Sequence, residues 1–63
     1  MYAIRTPDEW LGVDAFVHGL RLIRASKHER AIFQDRDVAV SMVRLARLHY
    51  GSDCALVRIN RRG

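Results

Sequence analysis

The stretch from Asp35 to Gly51 does most to limit what this chain can become. Asp35 suits a helix N-cap and Asp37 puts negative charge in the first turn, where free N–H groups and the helix dipole favour it. Between them and Gly51, which supplies the stop, Val38, Ala39, Met42, Val43, Leu45, Ala46, His49 and Tyr50 recur at spacings of three and four. The spacing predicts a helix over 36–50 with one broad apolar stripe. A lone helix cannot bury such a stripe, so the rest of the chain must supply a layer to cover it.

Strand signals flank this helix. Tyr2 to Arg5 reads as a short strand because aromatic and β-branched residues lead into Pro7, which interrupts a ladder. Residues 54–59 alternate Cys54, Leu56 and Arg58 with Ala55, Val57 and Ile59 and read as another. The brief apolar run from Arg30 to Phe33 is either a strand or a packed connection. The expected fold class is α+β: a small antiparallel sheet of about three strands packed by the 36–50 helix, in one domain, with residues 60–63 a flexible tail.

Two readings stand for the segment between Pro7 and Arg24. Thr6, Pro7, Asp8 and Glu9 make a helix-start signature, with Thr6 as cap and Glu9 closing a capping box. Behind it Trp10, Val13, Phe16, Val17, Leu20 and Ile23 follow helical spacing, so a second helix over 7–24 is the reading taken. Against it stand Gly12 and Gly19, each costing up to about 1 kcal/mol inside a helix. The alternative makes Thr-Pro-Asp a hairpin turn, with strands over 10–13 and 20–24.

A chain of 63 residues hides only about 60% of its unfolded surface, and many chains this short carry a staple. Cys54 is the only cysteine, which excludes an internal disulfide. One thiol with His18, His28 and His49 on separate segments builds no tetrahedral metal site, so no metal or cofactor is expected. A symmetric homodimer is a reasonable route to further burial. The longest charge-free apolar runs fall far short of the roughly 20 residues that cross a bilayer, and the start of the chain lacks the pattern of a secretory signal. The expected compartment is the cytoplasm of a bacterial host.

Charge is placed unevenly. Up to Asp37 acidic and basic residues cancel, so the formal charge of +4 arises where Arg44, Arg47, Arg58, Arg61 and Arg62 face only Asp53. Guanidinium is a planar, permanently charged fork that grips carboxylates and phosphates bidentately. Arg36, Arg44 and Arg47 share one side of the predicted helix. With Arg58, Arg61 and Arg62 they form the expected partner-binding set, aimed at an acidic protein surface, a nucleoprotein complex or nucleic acid. An ordinary solvated helix face is the plainer reading of the same residues.

Other residues carry less. Tyr2, Trp10, Phe16, Phe33 and Tyr50 are spaced as core residues, and none is expected in a basic cluster as a base-stacking platform would be. The arginines lie toward the C-terminal end of the predicted helix, whereas recognition helices present their N-terminal part to base edges. His49 reads as a half-buried packing residue, Trp10 as buried, and Cys54 as a structural thiol. No phosphate loop or serine elbow is present, and the acidic pairs Asp8–Glu9 and Asp35–Asp37 are explained by helix starts. The chain reads as non-enzymatic.

The run Arg30-Ala31-Ile32-Phe33-Gln34-Asp35-Arg36-Asp37-Val38-Ala39, with the arginine-rich helix, the Gly51 stop and a terminal Val-Arg-Ile strand, resembles the second half of small proteins from bacteriophages and mobile elements. The opening strand ending in Arg-Thr-Pro-Asp is similar to theirs too. Among such proteins are anti-CRISPR inhibitors, and the resemblance implies a non-enzymatic protein that caps a CRISPR effector surface. Many anti-CRISPR proteins are acidic and imitate DNA. This chain departs from that pattern, and a basic half would instead meet an acidic face.

Overall fold

The computed structural model describes residues 1–16 and 19–60, the side chains of Ala15 and Phe16 excepted. The order of elements is β1 (Tyr2–Arg5), β2 (Trp10–Phe16), β3 (Gly19–Ala25), α1 (Arg36–Tyr50) and β4 (Ala55–Arg58). All four strands join one antiparallel sheet in the order β3-β2-β1-β4. The α+β class and the 36–50 helix stand as the sequence predicts.

The expected second helix over 7–24 is replaced by a hairpin, which raises the strand count from about three to four. Thr6 explains the misreading. Its Oγ1 accepts from the Glu9 N–H at 3.0 Å and the Asp8 N–H at 3.3 Å, the bonds an N-cap would make. Here the Thr6 N–H and hydroxyl both also donate to the Glu9 carbonyl, at 2.8 and 3.0 Å, which closes a tight turn from β1 into β2. Cap chemistry and turn chemistry are the same local hydrogen bonds with different continuations. Removing that hydroxyl in Thr6→Ala is expected to destabilise the fold by about 2 kcal/mol, since three bonds at a buried site vanish. Thr6→Ser should retain most of the stability, as read from urea midpoints.

The two glycines that argue against a helix each suit the hairpin. A Cβ at Gly12 would lie 3.1 Å from the Ala25 Cβ and 3.2 Å from the Glu29 carbonyl oxygen, so a side chain there would crowd both neighbours and glycine relieves the close approach. Gly19 opens β3 at φ +133°, a conformation side chains disfavour.

β1 and β2 pair at Arg5↔Trp10, next to their turn. Farther along, the 30–33 connection lies between them: Tyr2 and Phe33 exchange both backbone hydrogen bonds at 2.8 Å, and the Ala31 N–H donates to the Leu11 carbonyl at 3.1 Å. The run from Arg30 to Phe33 is thus a packed connection with one bridge.

In α1 the cap is as expected, Asp35 Oδ1 accepting from the Asp37 N–H at 2.8 Å. The buried stripe is narrower than the sequence pattern: Ala39, Val43 and Ala46 face the sheet, while Val38 is 50% and Leu45 37% exposed and His49 lies on the surface. A flat sheet covers only one side of a helix, so the residues one turn-face away stay in water. Small side chains at the contact let helix and sheet approach closely. The core gathers Ile4, Leu11, Leu22, Val43, Ala46 and Cys54, with Val13, Phe33, Met42, Tyr50 and Leu56 packed around it.

Cys54 is 2% exposed, and its Sγ approaches the Ala46 carbonyl at 3.7 Å. Buried thiols are inert until the structure opens. In native buffer a thiol reagent should label Cys54 only at the rate of unfolding, and immediate stoichiometric labelling would contradict this packing.

Candidate functional site

The helix lies antiparallel to β4. Cys54, just before the strand, touches Ala46 near the end of α1, and Arg58, near its finish, pairs with Tyr2, whose other partner Phe33 shortly precedes the helix. At 100° per residue, Arg36, Arg44 and Arg47 fall within about 80° of the helix circumference. One contact fixes where that flank points: Arg47 Nε donates to the Cys54 carbonyl at 3.0 Å, at the margin of β4. The other flank, with Leu45 and His49, turns toward β3 and lines a shallow cleft of about 520 Å³ with Leu20, Leu22 and Tyr50.

The basic flank therefore overhangs the outer edge of the sheet. Arg36, Arg44, Arg47 and Arg58 are all exposed, and none forms an ion pair among the described residues. The contrast with β3 is direct. There Arg24 Nε meets Glu9 at 3.1 Å and Arg21 meets Asp14 at 3.9 Å, so acids on or beside β2 compensate those charges. The structure brings together four of the six arginines read from the sequence. Arg61 and Arg62, with His18, lie outside the described residues.

Arg47 differs from its neighbours. Its guanidinium helps tie the end of α1 to the start of β4, a role that spacing on the helix does not reveal. Arg36, Arg44 and Arg58 make no hydrogen bond, ion pair or ring contact with described residues through their side chains, so their charge is free to meet a partner.

A second basic feature lies on the sheet face away from α1. The Arg5 and Arg30 guanidinium carbons sit 5.0 and 4.7 Å from the centre of the Trp10 ring. The expectation that no aromatic sits among basic groups is corrected here, and Trp10 is half-buried rather than buried. Residues 5, 10 and 30 meet only because the β1–β2 turn and the 30–33 connection converge. No local pattern marks the cluster; its one sequence signal is the Thr-Pro-Asp turn of the alternative reading, which sets Arg5 opposite Trp10. Arg30 Nη1 donates to the Lys27 carbonyl at 2.6 Å, while its buried Nε has no partner among the described residues.

Among the described residues, no three His, Cys, Asp or Glu side chains gather as a metal site, and no helix is long and apolar enough to cross a membrane. The chain matches no family model, no curated protein and no solved structure.

Proposed function

We propose that this chain is a non-enzymatic interaction protein that docks the arginine-lined margin of α1 and β4 onto an acidic face of a protein or nucleoprotein complex. One observation carries the reading: Arg36, Arg44 and Arg58 line one margin without an ion pair among the described residues, although carboxylates elsewhere in the fold neutralise Arg21 and Arg24. Leaving several permanent charges uncompensated together favours an anionic partner and speeds its encounter. Docking of this kind acts by steric cover, and an inhibitor of a host nucleoprotein defence complex, of the anti-CRISPR sort, is the form implied by the resemblance to phage proteins.

A second reading has its own support. Arg5 and Arg30 against Trp10 combine cationic and aromatic surface, as proteins that follow a nucleic-acid backbone do. Filter binding to duplex and single-stranded DNA at two salt concentrations separates the two. Docking on a protein predicts no salt-sensitive retention of naked DNA, together with capture of a nucleoprotein complex from host lysate by the wild type but not by an Arg44→Glu/Arg58→Glu variant. Salt-sensitive DNA binding lost on Trp10→Ala would favour the second reading, and capture unchanged in the double variant would contradict the first.

A further inference from the structure

Among the described residues, no strand fills the outer edge of β4. In an antiparallel ladder the N–H and C=O of successive residues point alternately to the two neighbours. The Ile59 N–H donates to the Met1 carbonyl at 2.7 Å, which turns residues 55, 57 and 59 toward β1. Tyr2 supports the same phase: both its backbone groups bond Phe33, so its β4 partner Arg58 faces outward. The outward backbone groups near and along β4 are thus those of Cys54, Leu56 and Arg58. Arg47 already occupies the Cys54 carbonyl. Leu56 and Arg58 remain, at a sheet edge with no further strand among the described residues.

The charges fit the same place. From Cys54 to Arg58 the strand advances about 13 Å, and from Arg36 to Arg47 the helix rises about 16 Å, so the open rungs lie alongside the arginine flank. Leu56, which packs against the core, and Arg58 two residues on share the helix side of the strand; Ala55, Val57 and Ile59 take the other side. Open edges invite pairing unless blunted, and strand addition is a common mode of peptide capture.

We propose, building on the docking function above, that the β4 edge takes an extended acidic segment of a partner protein as a fifth strand. Backbone groups of Leu56 and Arg58 hold the main chain of the segment. Its carboxylates project on the helix side toward Arg36, Arg44 and Arg58, and its alternate apolar side chains lie beside Val57 and Ile59. The recognised pattern is therefore acidic and apolar residues in strict alternation. Charge complementarity singles out this edge over that of β3, where the arginines have carboxylate partners and Tyr50 Oη caps the Leu22 carbonyl at 2.8 Å.

The test is fluorescence anisotropy of labelled peptides with the full chain. A peptide of about eight residues alternating glutamate with valine or threonine should bind about tenfold more tightly than its isomer with the glutamates in one block, and N-methylation of its pairing amides should abolish the difference. Arg58→Pro, which removes an outward N–H that β1 does not use, should weaken binding beyond Arg58→Ala. Should Arg58→Pro fail to fold by circular dichroism, the methylated peptide carries the same test. Equal binding of the alternating and block peptides, reduced by Arg44→Glu, would overturn the fifth strand and leave the arginine docking reading intact. Binding of neither peptide alongside salt-sensitive binding of single-stranded DNA would overturn both.

Discussion

Replacing Leu11 with alanine is expected to remove about 2–5 kcal/mol of stability, enough to consume most of the margin of a domain this small. Leu11 is fully buried and, among the described residues, is one of the three largest side chains so placed, with Ile4 and Cys54. It stands where the β2–β3 hairpin meets the helix-bearing part of the sheet, packed in one cluster with Ile4, Leu22 and Val43. Truncation would leave a cavity that a four-stranded sheet with a single covering helix has little material to collapse into. Leu48→Ala is the control. That leucine is 82% exposed, and its loss should shift stability by no more than about 0.5 kcal/mol. Urea denaturation of the two variants distinguishes the packing described here from one in which the hairpin docks elsewhere. Comparable midpoints would contradict it.

Reversing charge at Arg44 and Arg58 together is expected to weaken binding to an acidic partner by at least about a hundredfold at low salt, because like charges forced together cost several kcal/mol. Both side chains are exposed without a described ion pair, so the fold should survive with its stability changed by about 0.5 kcal/mol or less. Arg47 is deliberately spared. Its bond to the Cys54 carbonyl means that Arg47→Glu would confound lost binding with a loosened junction of α1 and β4. The reversed pair should also flatten the salt dependence, since fewer attractive charges remain to be screened. Affinity within a factor of two of the wild type would remove this margin from the account.

What could be read from sequence follows the range of the interactions. α1 was legible because its cap, its periodic stripe and its stop all lie within 35–51. The width of the buried stripe was not, since only the sheet decides that Ala39, Val43 and Ala46 are covered and Val38, Leu45 and His49 are not. Thr6 offered the same hydroxyl bonds to a helix start and to a turn. The deciding information was the pair of glycines: one lies where Ala25 and Glu29 crowd in, the other at a positive φ beside the hairpin bend.

The candidate surface divides the same way. Arg36, Arg44 and Arg47 could be grouped by helical geometry, and the placing of Arg58 alongside them depended on a strand that the sequence also indicated. The tertiary bond of Arg47 and the meeting of Arg5, Trp10 and Arg30 depend on pairings far apart in the chain, for which helix periodicity carries no signal.

The central claim is that the margin of α1 and β4, and no other basic surface, receives an anionic partner. Amide chemical shifts followed while polyglutamate is added to the labelled protein test it most directly. The account predicts the largest changes at Arg44, Leu56 and Arg58, with Trp10 and its neighbours Arg5 and Arg30 undisturbed. Changes centred on Trp10, or spread evenly over every arginine, would contradict it.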